Sequence, residues 1–423
     1  MSDVATAARG PRRFGRWVAM VLVVAALLLV AIAWISRPQR ATGLILDAVG
    51  RSLGLRISAD SGTYRLRGTP QLDVRGVIVR EPGTAHPLLR ADRVVLSLPW
   101  STIRARGNAL VIDRIELERP VVDVSALQHW LKQRPPGKTR VPTLTRGLQV
   151  RDGSVVGTGW NIAGLDVAVP RLAPTRPLAS ALSGRFSSGA YAVPFALQAA
   201  LLRPASDTAF GISGWAAVQA RGWRMPARLR LSGRLHALPA GWSVRRMKCG
   251  VAARYKTGAT RVSLSLGLGG NLYQSGAQLR LSPAALATVG QGMVPGLAAR
   301  GRIAFADRLD LVLAGQLQRW PQAWPALPPP LSQSDAPLPI VLSYSGAPAL
   351  TDIATLRLRR DRAIFDGRFH PLRIADWIVA SEDSPLPPLD GQLSAPRLDI
   401  AGARLDGVEI RFDDPDVAPA PNP

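Results

Sequence analysis

Most of this chain alternates apolar and polar residues with a period of two. That property constrains the fold more than any other, because an extended strand sends successive side chains to opposite faces. In RVSLSLGLGG, Val262, Leu264, Leu266 and Leu268 share one face, and in ARLRLSGRL, Leu229, Leu231 and Leu235 do so opposite Arg228 and Arg230. The same spacing groups Val94, Leu96 and Leu98; Ile115 and Leu117, with Val122 and Val124 beyond; Leu309, Leu311 and Leu313; Leu356 and Leu358; and Val408, Ile410 and Phe412. Gly, Asp-Gly, Arg-Gly and Pro interrupt these runs at short intervals, which suits antiparallel strands joined by tight turns. The expected class is mostly β, with a few short helices.

The N-terminus carries a different signal. From Trp17 to Ile35 nineteen residues pass without a charge, and at about 1.5 Å rise each they reach across the hydrocarbon of a bilayer. Trp17 and Trp34 stand at the two ends of the run, where interfacial aromatics belong. Arg9, Arg12, Arg13 and Arg16 precede it and mark the cytoplasmic side, while Arg37, Arg40, Arg51 and Arg56 follow it and weaken the bias. Ala31-Ile32-Ala33 also fits a signal-peptide cleavage pattern. Trp34 and Ile35 continue the apolar run and favour an uncleaved anchor. Either way, residues 37 to 423 are exported.

Helices are expected at 41–53, amphipathic and near the bilayer surface; from Ser125, as N-cap, to the prolines at 135–136; from Ser282-Pro283; and over 374–380. The domain reading is a basic leader (1–16), an anchor (17–35), an N-terminal β module (36–125), a short helix with a Pro-rich linker (126–145), a central β region (146–320), a second Pro-rich linker (321–338), a C-terminal β module (339–412) and a disordered tail (413–423).

Composition narrows the chemistry. A hydrophobic fraction of 47% with 19% charged residues excludes wholesale disorder, and the single Cys249 excludes an intramolecular disulfide framework. His86, His129, His236 and His370 lie far apart and match no metal-binding spacing. Pro136-Gly137-Lys138-Thr139 imitates the end of a phosphate loop, but Lys132 stands where its first glycine belongs. No G-x-S-x-G elbow occurs, and Gly267, Gly269 and Gly270 lack a third glycine for a dinucleotide fingerprint. The expectation is a protein without catalysis, metal or cofactor. Of 53 basic residues only four are lysines, and the net charge is +24. Nucleic acid is rejected as partner because the arginines are spread along an exported chain rather than gathered with interleaved aromatics. Anionic membrane surfaces fit better, with Arg37, Arg40, Arg51 and Arg56 as candidate headgroup contacts.

Internal recurrence is present. A strand, glycine bend and strand recur as LDVRGVIVRE at 72–81, LQVRDGSVV at 148–156 and LDIAGARLDGVEIRF at 398–412. The block LRADRVVLSLPWSTIRARGNALVIDRIELERPVVDV at 89–124, and the anchor followed by GRSLGLRISADSGTYRLRGTPQLDVRGVIVREPG, resemble the N-terminal module of AsmA-family proteins. TLTRGLQVRDGSVVGTGWNIAGLDVAVP at 143–170 and PLPPLDGQLSAPRLDIAGARLDGVEIRF at 385–412 look like the later strand repeats of that family, so the resemblance covers about half of the chain. The chain is short for the family, whose long members resemble bridge-like lipid transfer proteins.

The resemblance implies a single-pass bacterial inner-membrane protein with its bulk in the periplasm. It implies an elongated, curved antiparallel β-sheet groove that shields phospholipid acyl chains on their way to the outer membrane. The apolar faces named above, from Val94 to Phe412, would then line the groove, and membrane phospholipids would be its partners. About 25 strands at about 4.8 Å give a sheet on the order of 120 Å as an upper bound. The alternative is a scaffold or assembly factor for outer-membrane protein biogenesis, or for a secretion apparatus, that carries no lipid and meets envelope assembly proteins.

Overall fold

The computed structural model describes residues 46–417, apart from breaks at 48–49, 51–53, 85, 105–110, 134–141, 206, 239–240, 259, 325–326, 328–330, 333–335, 380–386, 401–402 and 416. The expected anchor, with Trp17 and Trp34, and the arginines 37, 40 and 51 lie outside the described residues. Among those described, no helix is long and apolar enough to cross a membrane. The chain divides into two units, Met1–Thr139 with Leu144–Thr158, and Arg140–Thr143 with Gly159–Pro423.

The first unit contains β1 (Arg56–Ser58), β2 (Ser61–Arg65), β3 (Gln71–Arg80), β4 (Pro87–Ser97), β5 (Val111–Ile112), β6 (Arg114–Glu118), β7 (Val121–Asp123) and β9 (Leu148–Gly157), with β8 (Thr143–Leu144) at the boundary of the two ranges. β3 pairs antiparallel with β1, β2 and β4, and β4 with β6 and β7. The all-antiparallel expectation fails at β9, which runs parallel to β6 and β7. The helix Val124–Lys132 intervenes between β7 and β9, and such a crossover is what returns a chain parallel to the strand it left. Its N-cap is Asp123, not Ser125: the Asp123 carboxylate accepts from the Ala126 N–H at 2.9 Å. Of the expected 41–53 helix, Leu46, Asp47 and Gly50 are described and helical. Leu46 packs on the cluster of Val74, Val77 and Ala91, so at that residue the apolar side is spent on the sheet rather than on a bilayer.

The second unit is a meander. Its strands are β10 (Trp160–Val169), β11 (Leu178–Ser188), β12 (Tyr191–Leu201), β13 (Asp207–Ala220), β14 (Trp223–Leu238), β15 (Gly241–Thr257), β16 (Thr260–Ser275), β17 (Gln278–Gly290), β18 (Gly296–Phe305), β19 (Leu309–Arg319), β20 (Leu338–Gly346), β21 (Ala354–Arg360), β22 (Ala363–Phe369), β23 (Leu389–Ile400) and β24 (Ala403–Phe412). Each pairs antiparallel with the next. Among the described residues these strands belong to one continuous sheet.

Three expectations change here. Ser282-Pro283 starts no helix; it lies inside β17 where the register shifts against both neighbouring strands, a bulge being one of the few places a sheet tolerates proline. The Pro-rich stretch 321–338 is no free linker. Its Leu331 is 1% exposed in a cluster with Leu338, Ile340, Leu358, Phe365 and Leu393, and Trp320 and Leu327 pack against that cluster. Nor is the tail wholly loose, since Val417 is buried. The helix expected at 374–380 forms over Pro371–Val379.

Candidate functional site: an apolar ladder and its basic reverse

Residues directly opposite each other in an antiparallel pair point to the same face, so the register traces a face across the second unit. Starting at Ala199 the trace runs through Ile212, Leu231, Cys249, Leu268, Leu286, Ala299, Gly315, Ile340, Leu358, Phe365 and Leu393 to Ile410, without one polar side chain apart from the thiol. A parallel trace runs from Leu182 through Leu197, Gly214, Leu229, Val251, Leu266, Thr288, Leu297 and Leu317 to Leu338. Near one end of the strands, aromatic contacts extend the face: Trp160 with Phe186 at 5.9 Å, and Trp223 with Tyr191 at 6.4 Å and with Tyr255 at 5.6 Å between ring centroids.

Leu229, Leu231, Leu235, Val262, Leu264, Leu266, Leu268, Leu309, Leu311, Leu313, Leu356, Leu358, Val408, Ile410 and Phe412 therefore share one face, as their spacing suggested strand by strand. In the first unit, Val94 and Leu96 of β4 face Leu117 and Ile115 of β6 and Val74 and Leu72 of β3. There β4 is covered on both sides, since Val95, next in the chain, is 4% exposed. Leu98 lies just beyond β4. Arg56 is exposed on β1 opposite Arg80.

The strands between the expected ones complete the face: Phe210 and Ile212 of β13, Cys249 and Val251 of β15, and Leu281 and Leu286 of β17. Sequence reading passed over them because alanine and glycine dilute their alternation.

Burial divides the face in two. From β20 to β23 it is closed: Leu338, Ile340, Leu358, Phe365, Leu389 and Leu393 are buried, with Leu331 among them. From β10 to β19 most of its large side chains are half-buried, Leu264, Leu266 and Leu268 among them, with Val244, Met247, Leu281, Leu313 and Leu317 buried. A Cβ added at Gly301 or Gly315 would run into the carbonyl of Val312 or Ala298, whereas Gly211 and Gly250, on the reverse, have open space where a side chain would stand. β13 to β16 are 14, 16, 17 and 16 residues long, or roughly 50 Å at about 3.3 Å per residue. That exceeds the ~15 Å depth of one bilayer leaflet's hydrocarbon.

Over β14 to β18 the reverse face is basic. Arginines dispersed along the sequence are collected there by the same period of two: Arg228, Arg230, Lys248, Arg254, Arg280 and Arg300 all face away from the leucines and are exposed. Open grooves run over this face; one, of about 970 Å³, is lined by Ala181, Ala200, Gly211 and Ser213 beside Arg230 and Lys248. Asp207 holds Arg234 at 2.7 Å and His236 at 3.3 Å, and hydrogen bonding from Arg234 keeps its carboxyl below the usual range. Among the described residues, no three His, Cys, Asp or Glu side chains converge as metal ligands would.

No family model, curated protein or solved structure matches this chain.

Proposed function

We propose that the second unit shields the acyl chains of phospholipids along its apolar face, in a protein held at the bacterial inner membrane by the 17–35 segment and contributing to phospholipid movement toward the outer membrane. One observation carries the reading: an apolar face continuous over more than a dozen strands of one sheet, on which Leu264, Leu266, Leu268 and most other large side chains of β10 to β19 keep part of their surface exposed. A partly exposed apolar face of this length is unfavourable in water and calls for an apolar occupant. Each methylene taken from water contributes about 0.8 kcal/mol, so a tail lying along the leucines avoids most of the cost of crossing an aqueous gap. The resemblance to AsmA-family proteins supplies the cellular setting, and the mechanism needs neither a nucleophile nor a cofactor.

The scaffold reading has local support at β20 to β23, where Leu331 and its neighbours already fill the face. The test is photocrosslinking of the full chain to a phospholipid bearing a photoreactive tail. Crosslinks are expected on β13 to β17, and Leu264→Arg is expected to abolish them while the protein remains folded. Equal crosslinking in the variant, or purification without any phospholipid, overturns the proposal in favour of the scaffold.

A further inference from the structure

The basic reverse face is more than a solvated surface. Between Asp166 and Asp307 the chain has 18 arginines and lysines and one acidic residue, Asp207. Asp207 is engaged by Arg234. Among the described residues no carboxylate lies within ion-pair distance of Arg228, Arg230, Lys248 or Arg300. A solvated sheet face ordinarily mixes both signs, and uncompensated charge of one sign costs self-repulsion.

The register shows how the cations are kept available. Lys248 has Ser232 on one side and Gly269 on the other, followed by Ala285 and then Arg300; Arg230 has Ser213 and Gly250 beside it, followed by Gly267 and Ala287. Neighbours this small do not cover the cationic side chains, and Arg230, Lys248 and Arg300 are exposed. Lys248 and Arg300 stand three strands apart, about 14 Å at ~4.8 Å per strand, which suits an extended anionic surface rather than one small anion. Trp215 at 48% and Val289 at 64% exposure line a groove on this face together with Arg228 and Arg230. Arginine beside exposed tryptophan and valine is what a headgroup layer accommodates, the cations on phosphates and the apolar groups at the acyl boundary. A single strand of nucleic acid would want several stacking rings. Among the described residues Trp215 is the one aromatic exposed on this face.

We propose that this face docks on the surface of a bilayer containing anionic phospholipid. The docking is independent of acyl chains on the opposite face and survives if that reading fails. The full chain, reconstituted into phosphatidylcholine vesicles, is mixed with protein-free acceptor vesicles of phosphatidylglycerol and phosphatidylcholine in a one-to-three ratio, and clustering is followed by light scattering. Clustering is expected with these acceptors, not with pure phosphatidylcholine, and is expected to fall with added salt. Combined Arg228→Glu, Arg230→Glu and Arg300→Glu is expected to weaken it at least tenfold, at about 1 kcal/mol per basic residue near the surface. Because all three side chains are exposed, an unchanged circular dichroism spectrum is expected; a misfolded triple variant is replaced by Arg228→Gln with Arg230→Gln. Leu264→Arg, on the other face, is expected to cluster normally. Clustering that ignores acceptor charge or the substituted arginines, absence of clustering, or a single-stranded oligonucleotide outcompeting the vesicles overturns the proposal.

Discussion

Cys249 stands directly opposite Leu268 on one side and Leu231 on the other, within the longer apolar trace. The only cysteine of the chain is thus a built-in reporter of what occupies that face. It is half-buried and free of any disulfide. An apolar maleimide is expected to label Cys249 in delipidated protein, and added phospholipid is expected to slow that labelling at least severalfold. Mass spectrometry of the labelled peptide reads the outcome; labelling indifferent to lipid counts against acyl occupancy.

Leu331 closes the apolar face at β20 to β23 although it belongs to a Pro-rich connection. Leu331→Ala removes a side chain that is 1% exposed and is expected to cost about 2–5 kcal/mol. Denaturant unfolding measures the loss, and limited proteolysis is expected to cut within 320–338 more readily. Crosslinking on β13 to β17 is expected to persist.

Glycines on the two faces predict opposite tolerance. At Gly301, on the apolar side, a Cβ would meet the Val312 carbonyl of the next strand, while at Gly250, on the basic side, it would meet nothing. Gly301→Ala is expected to destabilise by about 1–3 kcal/mol, and Gly250→Ala to stay within about 0.5 kcal/mol. Equal melting shifts in the two variants would contradict this difference in crowding.

In the first unit Arg93 bridges two carboxylates, Asp73 at 2.6 Å and Glu118 at 3.1 Å. Hydrogen bonding from Arg93 holds the Asp73 carboxyl below its usual range, against a smaller opposing effect of burial. A depressed folded-state value means the unfolded chain binds the proton more tightly. The stabilisation is therefore fully present above the unfolded value of about 3.9 and is lost as pH falls through the folded one. Asp73→Asn is expected to flatten the acid limb of the stability profile below about pH 4. At neutral pH it is expected to cost about 1 kcal/mol, since the pair is partly exposed. Urea midpoints across that range provide the check.

The sidedness of single strands was legible in the sequence because it is local: in LRLSGRL or VSLSLGL each residue's face follows from its neighbours' pleat. The helix at 371–379 and the tight turns were legible for the same reason. Contacts that join distant residues were not. Ser282-Pro283 reads locally as a helix start, yet a strand captures it by pairing on both sides, and proline is absorbed in a bulge. Leu331 reads as linker because its immediate surroundings are prolines, and only the folded sheet offers it Leu358 and Leu393.

The chain by itself determined that leucines and arginines take opposite sides of each strand. Only the tertiary structure decided that the strands from β10 to β24 stay in phase through their bulges, so that these sides add up to one continuous apolar face, closed at β20 to β23, with the cations of β14 to β18 gathered on its reverse. Pleating is a property of consecutive residues, whereas register and covering depend on residues far apart in the chain meeting in space.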